Sequence, residues 1–369
     1  MKIKKFLILI IFLFLSSIFL NKVNAQTNVP KQESLEATVT MILVEKQITP
    51  KGGVSPQLYQ KLELMITKGS LENKKIIIES GNYPLANLQK YNLGDKVVVL
   101  YSKDFKGNDN FFITDFIRRD ALLWLFIIFI LLTIIIAKWR GLLSLVGMVI
   151  SFLIIFLYIL PNISSGLDPI QIAITGSLFI IPVTFYFSHG FNKKTTVAIM
   201  GTIITLIITG LLANFFVNFS KLTGFASEEA GFLEVAKQGT INMKGLLLAG
   251  IIIGVLGVLD DITVSQSAIV FQLKEINSKL KFDELYSRAM NIGQDHISSM
   301  VNTLILVYTG AALPLLILFI NNPHPLSEVI NYEMIADEIV RTLVGSIGLI
   351  LSVPITTFIA SMVASKKQR

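Results

Sequence analysis

The rhythm of hydrophobic positions changes near residue 118. Before it, short β-branched runs recur at Glu36 to Glu45, Lys61 to Thr67, Lys75 to Glu79, Lys96 to Tyr101 and Phe111 to Ile117. Gly52-Gly53, Gly69, Gly81-Asn82, Gly94-Asp95 and Gly107-Asn108 separate them. Alternating runs punctuated by turn formers predict about five antiparallel strands in a small barrel or sandwich over residues 26–118. After residue 118 the apolar stretches lengthen to spanning size, near 121–137, 141–160, 170–187, 195–219, 245–271, 297–320 and 339–363. This pattern predicts a polytopic α-helical membrane domain of about seven transmembrane helices over residues 119–369.

An earlier apolar run, Phe6 to Leu20, follows Lys2, Lys4 and Lys5 and precedes Val23-Asn24-Ala25. That layout reads as a signal peptide over residues 1–25, cleaved after Ala25 or kept as an N-terminal anchor. Both readings put the β-rich domain outside the cytoplasmic membrane. An alternating path then leaves Lys138, Arg140, Lys193, Lys194, Lys274, Lys279, Lys281, Arg288, Lys366, Lys367 and Arg369 in the cytoplasm, with Lys221 and Lys237 in the outer loops. Such a bias orients the chain as a multi-pass plasma-membrane protein with a cytoplasmic C-terminus. Only Lys138-Trp139-Arg140 separate the first two spans, which therefore need a tight helical hairpin. Leu280, Phe282, Leu285 and Met290, interleaved with Lys279, Lys281 and Arg288, predict a separate helix on the inner surface.

Composition agrees with the pattern: 53% of residues are hydrophobic and 15% charged, and the mean hydropathy is +0.67. The net charge of +7 sits mainly between apolar segments, so nucleic acid is not implied and the bilayer is the expected partner. With no cysteine, disulfides, thiolate nucleophiles and cysteine-ligated metals are excluded.

The fifth span, Gly245 to Phe271, is about 40 Å long as a helix and carries Asp260 and Asp261 close to its midpoint. A charge there costs about 2.5–3.5 kcal/mol even on lenient insertion scales, so such residues normally face protein or water and have a task. Gly250, Gly254, Gly257, Asp261, Ser265 and Ala268 follow helical spacing and form one small and polar stripe, expected to be buried against other helices. Asp260 lies about 100° away with Thr263 and Ser267. Asp261, which continues the glycine stripe, is expected to be the more important carboxylate. No lysine or arginine is expected at matching depth, so a proton or a small cation is the economical partner of the pair. Thr175, Ser177, Thr205, Thr209, Tyr308, Thr309, Ser346 and Ser352 could share this depth, although Ser and Thr in such helices more often bond their own backbone. Asp295 and His296, with Asn302 about two turns further on, could form an inner mouth; a helix cap is the commoner use of a lone histidine. One Asp beside one His is not a metal ligand set, and Gly257-Val258-Leu259-Asp260 is not the GxGD pattern of membrane aspartyl proteases. No cofactor is expected, and no nucleophile and base pair marks an enzyme.

The stretches GVLGVLDDITVSQSAIVFQLKE (Gly254 to Glu275), GQDHISSMVNTLILVYTGAALPLLILF (Gly293 to Phe319) and EIVRTLVGSIGLILSVPITTFIA (Glu338 to Ala360) resemble the YibE/F family of bacterial membrane proteins. The resemblance implies a plasma-membrane protein and extends to the β-rich domain, but brings no biochemical activity with it. The first stretch is also similar to the fourth-helix motif of resistance-nodulation-division permeases and the SecD/SecF translocation factors. That similarity implies a six-helix core in which Asp260 and Asp261 couple proton movement to work on the outer side. It departs from them in lacking their large external domain and second six-helix half, so a second copy would have to come from a homo-oligomer. Two readings follow. One is a permease or export-type factor, coupled through Asp260 and Asp261. The other is a non-transporting scaffold or sensor whose outer β-domain binds an envelope protein or small molecule.

Overall fold

The computed structural model describes residues 32–50, 52, 55–84, 88–104, 107–320 and 324–366. The signal peptide or anchor expected at residues 1–25 lies outside the described residues. The chain divides into two compact units between Leu131 and Leu132.

The first unit is built on one antiparallel sheet of β1 (Glu33–Ile48), β2 (Gln57–Lys68), β3 (Lys75–Ser80), β4 (Lys96–Lys103) and β5 (Asp109–Phe116). Its order, β3-β2-β1-β4-β5, contains the Greek-key arrangement in which the fourth strand returns beside the first. The sheet rolls into a half-barrel, and Lys74 beside β3 pairs with Asp109 on β5 at 3.3 Å. Alternation explains the roll: Leu62, Leu64 and Ile66 point inward and are fully buried with Leu35, Ala37, Val97 and Val99, while Lys61 and Glu63 point out to pair with Glu79 and Lys75. Gln60 closes one end, its Nε2 donating to the Tyr91 carbonyl at 2.9 Å and its Oε1 accepting from the Tyr91 N–H at 2.9 Å. Gly81 turns the chain after β3 at φ +91°, where any Cβ would strike the carbonyl oxygen of Leu58.

Residues 32–118 expressed alone should therefore fold as a soluble β-rich unit, and a helical circular-dichroism spectrum would contradict this. Its acid stability has a defined sign. Hydrogen bonds from Lys90 to Glu45, from Lys75 to Glu63 and from Tyr101 to Asp109 hold these three carboxyls below their ordinary values. Their contribution is present above the unfolded carboxylate values of about 4 and is lost as pH falls through the lower folded values. The denaturation midpoint of the fragment should drop across that acid window and stay level between pH 6 and 8.

The second unit is helical. α1 (Arg119–Ile154), which begins in the first unit, breaks at Lys138, where φ is +53° and ψ −133°. A Cβ on Gly141 would strike the carbonyl oxygen of Thr133, eight residues earlier, which a straight helix would hold about 12 Å away. The chain thus doubles back at this point. A π-helical turn (Ile155–Ile159) and α2 (Leu160–Ser164) follow, then α3 (Pro169–His189), α4 (Lys193–Phe219), α5 (Glu228–Lys237), α6 (Met243–Ile276), α7 (Phe282–Ala311), α8 (Leu313–Ile320), α9 (Leu326–Val329) and α10 (Glu333–Ser365). Asp168 caps α3 through the Ile170 N–H at 2.8 Å, Asn192 caps α4 through Thr195 at 3.0 Å, and Asn242 caps α6 through Gly245 at 3.0 Å.

Among the described residues five stretches are long and apolar enough to cross a membrane: Arg119–Ser164, α3, α4, α6 and α10. α7 and α8, bent by 71°, make a sixth if the pair counts as one span. The expected count of seven is corrected for two reasons. The first two expected spans fall in one apolar stretch, Arg119–Ser164, which holds two helices joined at Lys138, where the tight hairpin was expected. The sixth is broken at Ala312, just ahead of Pro314, which cannot donate to the helix ladder. The separate surface helix expected near residues 280–290 is also corrected, because Phe282 to Ala311 is one continuous helix. α6 is the centre of the unit, packing against α3, α4, α7 and α10. Ile207, Leu211 and Phe215 on α4 and Leu343 and Phe358 on α10 stay exposed, an apolar outer surface of the kind a bilayer covers.

Candidate functional site

α6 reads as an apolar helix with one polar face turned inward. Leu259, Ile262, Thr263, Gln266, Ser267 and Val270 follow helical spacing and are all fully buried. Each polar member meets a neighbouring helix. Thr263 Oγ1 lies 2.8 Å from Thr202 Oγ1 on α4, and Ser267 Oγ donates to the Lys194 carbonyl at 2.9 Å. Gln266 Nε2 donates to the Ala289 carbonyl of α7 at 2.9 Å and to Thr357 Oγ1 of α10 at 2.7 Å. One glutamine therefore ties three helices together at one level. Its Oε1 is buried without a hydrogen-bond partner among the described residues.

Asp260 sits on the flank of this face, one turn before Thr263. It is partly buried, and its Oδ1 is sealed from the surface with no hydrogen-bond partner among the described residues. Asp261 next to it is exposed. The expected burial of the stripe that Asp261 continues is thereby corrected, because that stripe is not a packing face within the chain. Gly250, Gly254 and Gly257 are exposed, a Cβ on Gly250 or Gly257 would meet nothing within 4 Å, and one on Gly254 would meet only Tyr308 Oη at 3.6 Å. Ser265 on the same stripe is half-buried. Helical spacing identifies a stripe without saying which side of the helix its neighbours occupy; the larger buried side chains of the opposite face decide that.

Asp260 and Asp261 stand at the middle of α6 (Met243–Ile276), as the sequence predicts. Ser267 is level with Lys194 near the start of α4, and Asp260 lies about 10 Å along α6 from that level. His189, the last residue of α3, interacts electrostatically with Asp261 and with Arg140. Asp295 and Asn302 are exposed on α7 and His296 is half-buried there. No hydrogen bond or ion pair joins these three to Asp260 or Asp261 among the described residues, and they lie in a helix interior, not at its start. Gln266, Thr202 and Thr357 are the residues that sequence reasoning missed. A glutamine in the middle of a long apolar helix is the one signal that could have found them. No three His, Asp or Glu side chains among the described residues are arranged to hold a metal ion.

The sequence pattern of the family described as YibE/F-like protein matches residues 125–366, a range that leaves the β-sheet outside the match. No curated protein and no solved structure matches the chain, so the similarity to resistance-nodulation-division permeases and SecD/SecF has no support from relatives.

Proposed function

As the chain belongs to the YibE/F-like family across residues 125–366, we propose that it is an integral membrane permease or export-type factor in which Asp260 takes up and releases a proton or a small cation. The observation that carries this reading is the sealed Oδ1 of Asp260 on a 34-residue apolar helix. An ionised carboxylate in such a place is costly unless it is paired, and a mobile cation or proton is a partner that can come and go. The surrounding bonds supply rigidity: Thr263, Gln266 and Ser267 fix α6 against α4, α7 and α10, so that the carboxylate can change charge without the helices shifting. Asp261, exposed next to Asp260 and close to His189, is suited to relay the ion toward the α3–α4 end of the unit.

The test is flux through the purified chain in proteoliposomes. An imposed pH or monovalent-cation gradient should dissipate faster than in empty vesicles, and equal rates for every ion tried would contradict the reading. In the orientation that the basic residues favour, a reporter fused after Leu167 or Ser327 should read outside and one after Ser278 inside. An inside signal from Ser327 would overturn this topology.

A further inference from the structure

We propose that the helical unit holds a binding site for a small organic cation in the cavity between α5, α6, α8 and α10, where Asp337 receives the ligand's ammonium group. The cavity has a volume of about 520 Å³, within the range of small-molecule sites. Glu228 and Glu229 from the first turn of α5 and Asp337, Glu338 and Arg341 from α10 line it. Asp337 is 7% exposed. Its Oδ2 accepts from Arg341 Nη2 at 3.3 Å, while its Oδ1 is buried without a partner among the described residues. A half-satisfied buried carboxylate lining a cavity is an acceptor waiting for a donor.

The rest of the lining selects the donor's class. Arg341 is held to Asp337 through Nη2, and its Nε, 3.6 Å from Glu338, is buried without a hydrogen-bond partner among the described residues; Glu228 and Glu229 make no ion pair among the described residues. Four carboxylates facing one guanidinium favour a cation. No three of them are arranged as a metal ligand set, and the cavity is far larger than an ion needs. Leu233, Met243, Leu247 and Leu315 supply apolar walls, which fit a carbon body attached to the charged group. Gly250, at the cavity's edge, precedes Asp260 by about 15 Å on α6, so this site is separate from the Asp260 carboxylate and binding to it can be read without ion movement.

The probe is phenethylammonium, titrated calorimetrically into the full chain in nanodiscs, beside its neutral counterpart 2-phenylethanol and the anion 3-phenylpropanoate. Phenethylammonium should bind saturably and at least about tenfold more tightly than either counterpart, a difference of about 1.4 kcal/mol. Asp337→Asn, which keeps the shape and removes the charge, should weaken binding by at least the same factor. Leu233→Trp, which fills the cavity from α5, should do so too, and it decides the matter if Asp337→Asn fails to fold. Equal uptake of amine and alcohol, or unchanged binding in the folded variants, would overturn the proposal. Tighter binding of 3-phenylpropanoate would overturn it in favour of an anion site at Arg341.

Discussion

Gly348→Leu and Gly201→Leu should each remove most of the folded protein, read as loss of the monodisperse peak when detergent-extracted chains are compared by size-exclusion chromatography. Both glycines lie where α4 and α10 touch. A Cβ at Gly201 would strike Thr356 Oγ1, and a Cβ at Gly348 would strike Thr209 Oγ1. Both threonines are buried, so neither can swing aside into open space. Forcing extra methylenes into a packed core costs about 1–3 kcal/mol and sometimes more, a large share of a total stability of about 5–15 kcal/mol. Gly257→Leu is the matched control, because its new side chain would enter open space. It should elute like wild type. If Gly257→Leu were lost and Gly348→Leu kept, the packing arrangement described for α4, α6 and α10 would be wrong.

The second large effect concerns the carboxylate pair. Asp260→Asn should lower ion flux by about tenfold or more, equivalent to at least about 1.4 kcal/mol, whereas Asp261→Asn should lower it by less. Asn is close to Asp in shape and keeps one carbonyl oxygen, so the α6 contacts survive while the ability to bind and release a cation is lost. The difference between the variants follows from placement: Asp260 Oδ1 is sealed inside the unit, and Asp261 is open to the outside of the chain. Neither carboxylate makes an ion pair among the described residues and Asp260 Oδ1 has no hydrogen-bond partner there, so neutralising either one leaves no partner charge buried alone. Both variants should therefore be extracted in wild-type amounts, which separates a loss of function from a loss of fold.

The β-sheet was legible because its signals are local. Each strand announces itself by alternation, as Leu62, Leu64 and Ile66 do against Lys61 and Glu63, and each gap carries a turn former. The Gln60–Tyr91 clamp was not legible, since its partners are far apart in sequence and neither belongs to a motif. Hydropathy located the apolar stretches of the helical unit, and the basic gap Lys138-Trp139-Arg140 marked the first break, which the structure places at Lys138. The break at Ala312 was not legible from hydropathy, because it falls inside one apolar run over residues 297–320. On α6 the glycine spacing suggested a buried stripe, yet the close approaches are made by single glycines on α4, α7 and α10, at Gly201, Gly293 and Gly348. One isolated glycine per level leaves no periodic signature. The cavity around Asp337 was equally hidden, because α5 and α10 are brought together by the fold alone.

The central claim, that Asp260 carries an ion, is tested most directly by recording internal pH in proteoliposomes holding equal amounts of wild type and Asp260→Asn under the same imposed gradient. The prediction is acidification above the empty-vesicle rate for wild type and a return to that rate for Asp260→Asn, with a companion monovalent-cation measurement showing the same pattern if the ion is not a proton. Identical rates for the two proteins, with both folded and correctly inserted, would contradict the claim and leave α6 as a packing element of a non-transporting scaffold.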